Sequence, residues 1–335
     1  MRKGMSGRLS RTFFIYGLKI ITLLLGVSIV SFLLVSASPV NPVQQYLLKI
    51  GPVSPQQQEE IEEYWGMDKP LMERYLTWLG ELLQGNLGES ALYRRPVKDV
   101  IGERFSGSLT LMVSAWICSG GMGISLGCIM GIYQDKWPDK LLKKLCYLLS
   151  CVPTFWLGLI FLLIFSVILG WFPIGFSSPI GILRQEVTLW QRLHHLVLPA
   201  FTLSLMSFSP IALHTRQKLI EVMNSEYVLF ARARGEGKWM LLLRHGLRNI
   251  LLPALTLQFA SIAELFGGSV LTENIFSYPG LGSAVSAAGL NSDVPLLLGI
   301  TLFSTLFVCI GNMIANLLYE VVNPQIGSYT GEVSR

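Results

Sequence analysis

The chain has 335 residues, 51% of them hydrophobic and 14% charged, with a formal net charge of +5. A soluble domain averages about 25% charged residues, so with a mean hydropathy of +0.52 water is excluded as the main solvent. The small positive excess is concentrated in a few segments, which argues for membrane orientation and against nucleic-acid binding.

A helix needs roughly 20 mostly apolar residues to cross the hydrocarbon core. Six runs qualify: 13–37, 108–132, 142–169, 196–213, 251–272 and 295–322. The fourth is the shortest and carries Pro199 and Pro210. Arg2, Lys3, Arg8 and Arg11 precede the first run, and Val35-Ser36-Ala37 has the form of a cleavage site. The apolar stretch is much longer than a signal core, so an uncleaved first helix is expected. Lys19 lies near its start and can snorkel to the interface.

Lys and Arg set the orientation. With a cytoplasmic N-terminus, segment 133–144 is internal and holds Lys136, Lys140, Lys143 and Lys144. Segment 216–249 is internal too, with Arg216, Lys218, Arg232, Arg234, Lys238, Arg244 and Arg248. Outer segment 170–197 holds only Arg184 and Arg192, and 275–294 holds none. Segment 38–107 has seven basic residues, but long loops cross largely regardless of charge. The expected organisation is residues 1–37 as cytoplasmic N-terminus and first helix, 38–107 as an extracytoplasmic helical region, 108–322 as the remaining spans, and 323–335 as a cytoplasmic tail.

Within 38–107, residues 55–65 read as a surface helix. Asp68 can cap a second helix with Pro70 in its first turn, where Leu71, Tyr75, Trp78, Leu79 and Leu82 recur at helical spacing before Gly85. A further amphipathic piece carries Val97, Val100, Ile101, Arg104 and Phe105. This region either meets an extracytoplasmic partner or packs as a lid on the bundle.

In the second span Gly123, Gly127 and Gly131 recur every four residues, a spacing that lets another helix approach closely. Gly123-Ile124-Ser125-Leu126-Gly127 also matches the G-x-S-x-G pattern of serine hydrolases, whose nucleophile needs a strand-to-helix turn and an adjacent base. Cys118, Cys128, Cys146, Cys151 and Cys309 are scattered without metal-type spacing and are expected to be buried small hydrophobes. His194 and His195 are adjacent, do not share a helical face and fall in an outer loop, so no metal site is expected.

The inner loop reads Glu226-Tyr227-Val228-Leu229-Phe230-Ala231-Arg232-Ala233-Arg234-Gly235, followed by Arg244-His245-Gly246-Leu247-Arg248-Asn249. This predicts a short helix ended by Gly235, with Tyr227, Phe230 and Ala231 near one face and basic residues near another. It can dock in a groove of a soluble protein or lie on anionic lipid.

Ordered motifs run along nearly the whole chain: Asn41-Pro42, Gly66-Met67-Asp68-Lys69-Pro70, Gly85-Asn86-Leu87-Gly88-Glu89-Ser90 and Arg95-Pro96-Val97. Pro153-Thr154-Phe155-Trp156-Leu157-Gly158, Leu198-Pro199-Ala200 and the inner loop follow, then Glu273-Asn274-Ile275-Phe276 leading to Pro279-Gly280-Leu281-Gly282. In these the sequence resembles the inner-membrane permeases of the dipeptide, oligopeptide and nickel ABC importers. The resemblance implies an all-α integral membrane protein with six transmembrane helices and the type I importer permease fold.

It further implies that Tyr227, Phe230, Ala231, Arg232, Ala233, Arg234 and Gly235 form a coupling helix seated on a cytoplasmic ATPase. The loop departs from the general importer pattern, since Leu229-Phe230-Ala231 stands at its Glu-Ala-Ala positions. Only Ala231 and Gly235 match, and no glutamate role passes to Glu226. The implied partners are a second, homologous permease subunit, two ATPase subunits and an extracytoplasmic solute-binding protein. ATP and Mg would sit on the ATPases, because this chain has no G-x-x-x-x-G-K-[ST] phosphate loop; it is expected to bind no cofactor and to catalyse nothing alone.

Ionisable residues at membrane depth are costly and mark pathways. Glu264 in the fifth span can face the pathway and hold a cation or a peptide amino terminus, or bond to a neighbouring helix. Asn312, Asn316 and Glu320 share one face of the sixth span at four-residue spacing. Glu264-Leu265-Phe266-Gly267-Gly268 followed by Glu273-Asn274-Ile275-Phe276 looks more like the nickel members than the peptide members. The solute is therefore expected to be chelated nickel or a short peptide, and the rival classes are an intramembrane serine protease and a secondary transporter.

Overall fold

A computed structural model describes residues 2–37, 54–56, 69–182 and 185–322. Asn41-Pro42, the expected cap at Asp68, most of 55–65 and the tail 323–335 lie outside them. The described elements in chain order are α1 (Arg2–Ser36), α2 (Leu71–Leu83), the strands β1 (Glu89–Ser90) and β2 (Arg95–Pro96), α3 (Val97–Ile132) and α4 (Trp137–Cys151). Next come α5 (Thr154–Phe161) with a π-helical continuation (Leu162–Ile168), α6 (Leu189–Met223), α7 (Glu226–Ala233), and α8 (Lys238–Leu241), which runs through a π turn (Leu242–Gly246) into α9 (Leu247–Ala260). The last described elements are α10 (Ile262–Ile275), α11 (Leu281–Leu290) and α12 (Val294–Val322). Contacts divide it into two compact units, Met1–Ser106 with Gly280–Ile310, and Gly107–Pro279 with Gly311–Arg335.

In the first unit α2 lies on α1. The Phe32 ring stands 5.4 Å from that of Tyr75 and 5.6 Å from that of Trp78, and the hydroxyls of Ser28 and Tyr75 are 2.8 Å apart. Pro70, not Asp68, is the N-cap residue of α2, and it offers no side-chain hydrogen bond. At the other end Gly85 takes φ +82°, and the bonds Gly85 N–H to Leu82 O and Asn86 N–H to Glu81 O close a Schellman motif. The antiparallel ladder pairs Glu89 with Pro96 and Ser90 with Arg95.

Behind this hairpin the buried carboxylate of Asp293 accepts from the Ser90 hydroxyl (2.6 Å) and the Leu92 N–H (2.9 Å), and its other oxygen accepts from the Leu296 N–H (3.3 Å). The residue that caps α12 thus also holds the hairpin. The amphipathic piece expected at 97–105 is no separate helix. Val97, Val100 and Ile101 are buried in the first turns of α3, where a Cβ on Gly299 would come within 2.7 Å of Val97.

In the second unit α6 is the central rod. It runs unbroken for 35 residues through Pro199 and Pro210, well past both ends of the expected span. Residues counted as loop, His194 and His195 at one end and Arg216 to Met223 at the other, are helical. Thr188 and Gln191 form a capping box at its start. The glycine stripe of α3 meets α6 directly. A Cβ on Gly123 would stand 2.7 Å from Ile211, on Gly127 2.6 Å from Thr215, and on Gly131 2.7 Å from Leu219.

Among the described residues four helices are long and apolar enough to cross a membrane, Ile15–Ser36, Val97–Ile132, Leu189–Met223 and Val294–Asn316, and two bent pairs, each counted as one span, make six. The third span, expected as one rod, bends by 105° between α4 and α5. Val152 precedes Pro153 and takes the extended conformation (φ −88°, ψ 127°), which a following proline favours and a helix cannot continue. The fifth span bends by 49° between α9 and α10 at Ser261, whose hydroxyl bonds back to Gln258 O at 2.9 Å.

All five cysteines are free, with Cys128 and Cys146 buried; Cys118 and Cys151 are exposed and Cys309 is half-buried. These three depart from the expected burial because lipid is as apolar as a protein core, so an apolar helix need not hide every apolar side chain.

Candidate docking helix and polar membrane sites

Ser225 precedes α7 and Gly235 follows it. With Arg234 as C-cap residue, Gly235 at φ +91° and the bonds Gly235 N–H to Arg232 O and Glu236 N–H to Ala231 O, this end is again a Schellman motif. Val228 and Ala231 are buried against Leu241, Val222 and Met223, so α7 rides on the end of α6. Ala231, expected on the docking face, turns inward. Tyr227 and Phe230 turn outward, 49% and 68% exposed, beside exposed Arg232, Ala233 and Arg234.

The chain that follows braces α7 from behind. The Asn249 amide donates to the Tyr227 hydroxyl at 3.2 Å and to His245 O at 2.7 Å. Glu236 stands 3.5 Å from both Arg244 and His245. The outcome is a short rigid helix, held on its inner side, that offers aromatic and basic side chains outward.

The two adjacent histidines sit in the first turns of α6 rather than in a loop. His194 Nε2 contacts Trp171 O at 2.8 Å and His195 Nδ1 contacts Gly175 O at 2.9 Å. A carbonyl only accepts, so each of these nitrogens carries a proton and donates. They stitch the 170–176 loop to α6. The same loop is joined to the end of α10 by the Phe176 N–H to Phe276 O bond at 2.9 Å, and a Cβ on Gly175 would come within 2.5 Å of that oxygen.

Glu273 of the Glu-Asn-Ile-Phe motif is fully buried and accepts from the Ser108 hydroxyl at 2.6 Å. Burial, and secondarily the Glu273 carboxylate, push the Tyr278 phenol above its ordinary range. Among the described residues no group of three or more His, Cys, Asp or Glu is placed to hold a metal ion. Ser125 lies on the exposed side of an unbroken helix, α3, many turns beyond its start and so not at a strand-to-helix turn. That geometry is the opposite of a nucleophile elbow.

Residues 123–328 match the model of the binding-protein-dependent transport system inner membrane component, and residues 11–111 match the model of that component's N-terminal part. The chain belongs to this permease family. It is 34% identical over 307 residues to the oligopeptide transport system permease protein AppB of Bacillus subtilis, covering 91% of this chain and 96% of that one. It is 34% identical over 312 residues to a putative peptide transport system permease protein of Brucella abortus, covering 91% and 95%. The glutathione transport system permease protein GsiC of Escherichia coli K12 is 32% identical over 303 residues, covering 90% and 93%. The permease is therefore a multi-pass inner-membrane component of a peptide- or nickel-type ABC importer, a transport component and not an enzyme on its own. The protease and secondary-transporter alternatives gain no support.

The remaining sites of the permease lie on its outer faces. Glu264, Gly267, Leu271 and Asn274 form an exposed stripe along α10. Asn312 and Asn316 are exposed on α12, which approaches α10 closely enough that a Cβ on Gly311 would stand 3.4 Å from Ile262. The Glu320 side chain lies outside the described residues. Sequence reading missed the bidentate ion pair of Asp139 with Arg216; Arg216 enters it only as one of the basic residues of 216–249, and Asp139 not at all. An Asp beside the lysines that open α4 and an Arg near the end of α6 give no spacing signal across 77 residues of chain.

Proposed function

We propose that this chain is one of two homologous permease subunits that together pass a short peptide inward, with α7 seated on a cytoplasmic ATPase. Two such ATPases would carry the ATP and Mg, and an extracytoplasmic binding protein would deliver the solute. Both termini of the chain would then be cytoplasmic. The observation that carries the reading is α7 itself, a helix locked at its end by Gly235 and backed by Val228 and Ala231, with Tyr227 and Phe230 left outward. Exposed aromatic side chains on a rigid support are the typical anchors of a protein interface.

A peptide is favoured over chelated nickel because the similar permeases are named for oligopeptides, peptides and glutathione. The nickel reading rests on the Glu264 to Gly268 and Glu273 to Phe276 segments. In this proposal Glu264 faces the translocation path, as do Asn312 and Asn316. A carboxylate in a spanning helix is tolerated where it meets water or a polar partner rather than hydrocarbon. Glu264 would hold the ammonium group of a free peptide amino terminus.

The test is uptake by proteoliposomes carrying the permease pair with its ATPases and binding protein, supplied with labelled short peptides or with a nickel chelate. ATP-dependent accumulation of peptide is the expected result. Accumulation of nickel alone would replace the solute, and uptake independent of ATP would overturn the reading.

A further inference from the structure

Asp139 is fully buried. Arg216 grips it with one edge of the guanidinium, Nε donating to one carboxylate oxygen at 2.6 Å and Nη2 to the other at 2.7 Å. The Asp135 N–H, from a turn in which Asp135 adopts φ +60°, adds a third donor at 2.8 Å. One carboxylate therefore ties together three pieces of the chain: the turn after α3, the first turn of α4, and α6 about two turns before its end.

The position of this pair matters more than its strength. A buried ion pair gains little net stability, and a well-packed apolar replacement often serves as well. The same three elements, α3, α4 and α6, also share an apolar cluster in which Met130, Cys146 and Ala212 are buried with Leu142 packed against them, so the joint does not depend on the ion pair alone. What the forked geometry adds is a fixed register, because a guanidinium on a carboxylate resists both sliding and rotation. On one side of the pair, the end of α6 carries α7 through Val222 and Met223. On the other, α4 is the first half of the span that bends by 105° at Pro153.

We infer that Asp139 and Arg216 form a positioning clamp that makes α6 and the bent α4–α5 span move as one body, passing displacement of α7 into the membrane. The clamp rests on the reading of α7 as the ATPase-docking helix. It binds neither solute nor nucleotide. Its effect should appear in how much solute moves per ATP hydrolysed, while the pair's contribution to folding is replaceable.

The experiment compares wild type with the double variant Asp139→Leu/Arg216→Met in the full transporter in proteoliposomes. Co-purification of the ATPase, ATP hydrolysis and solute uptake are measured together. Failure of the wild-type permease to retain its ATPase would sink the docking reading on its own, whatever the clamp does. With docking intact, the double variant is expected to assemble and hydrolyse ATP as wild type does but to move about five-fold less solute per ATP, within the range of couplings carried by packed networks. Uptake per ATP equal to wild type would overturn the clamp. Should the double variant fail to assemble, Arg216→Lys decides. It keeps the charge and loses the fork, and wild-type uptake per ATP in that variant likewise overturns the clamp.

Discussion

A Cβ on Gly127 would stand 2.6 Å from the Thr215 Cβ and 2.7 Å from the Ala212 carbonyl oxygen, neither of which can rotate away. Gly127→Leu should therefore push α3 off α6 and cost about 1–3 kcal/mol, the usual toll of overpacking, seen as a lower unfolding midpoint in detergent. Gly121 lies in the same helix with nothing within 4 Å of an added Cβ, so Gly121→Ala should leave that midpoint unchanged or slightly raised; equal losses at both positions would show that the stripe is not a contact. Glu264 calls for a different readout, since it lies on the exposed stripe of α10. Glu264→Gln removes the charge and keeps the shape. Losing a charge-assisted hydrogen bond worth about 1.5–3 kcal/mol should lower uptake of a peptide with a free amino terminus about ten-fold or more and spare its N-acetylated analogue. Parallel loss of both peptides and of assembly would instead assign Glu264 a packing role against the partner subunit.

Among the elements, α7 has an end that depends on a single backbone angle. Gly235 at φ +91° is in a region that costs an L-residue roughly 1–2 kcal/mol, and a β-branched residue more. Gly235→Val should distort the Schellman end and reduce the ATPase retained on purification, with membrane insertion unchanged. Gly237, two residues on, has φ −73° and open space around it, so Gly237→Ala is the matched control, and equal retention in the two variants would remove Gly235 from the docking argument. The start, end and aromatic face of α7 were legible because a cap, a glycine and a helical period are local signals. The inward turn of Ala231 was not, because it depends on Leu241 and Met223, and periodicity does not say which side of a short helix is already covered. The same holds for Asp139 and Arg216, whose pairing is tertiary. The number of apolar runs was legible from length alone. The 105° bend was only half legible: Val152-Pro153 marks a place where a helix stops, yet an apolar run on both sides reads as one rod.

At the scale of the whole molecule, charge predicts the arrangement in the membrane. Segment 216–249 concentrates basic residues and contains α7, whereas 275–294 has none and contains α11. A segment rich in Lys and Arg next to a span is retained on the cytoplasmic side, and the effect is strongest for short segments such as these. Chain order predicts the same parity, because the bent α9–α10 pair, when it crosses as one span, lies in sequence between α7 and α11. Gly237 and Leu290 are exposed, Leu290 to 88%, so a cysteine at either can report its side. In a background with the exposed Cys118 and Cys151 changed to serine, a membrane-impermeant maleimide should label Leu290→Cys in cells whose inner membrane is intact. Gly237→Cys should be labelled only after that membrane is opened. Labelling of Gly237→Cys from outside would invert the topology, and with α7 on the wrong side no cytoplasmic ATPase could reach it; labelling of both from outside would mean that the bent α9–α10 pair turns back without crossing, and would reduce the number of crossings by one.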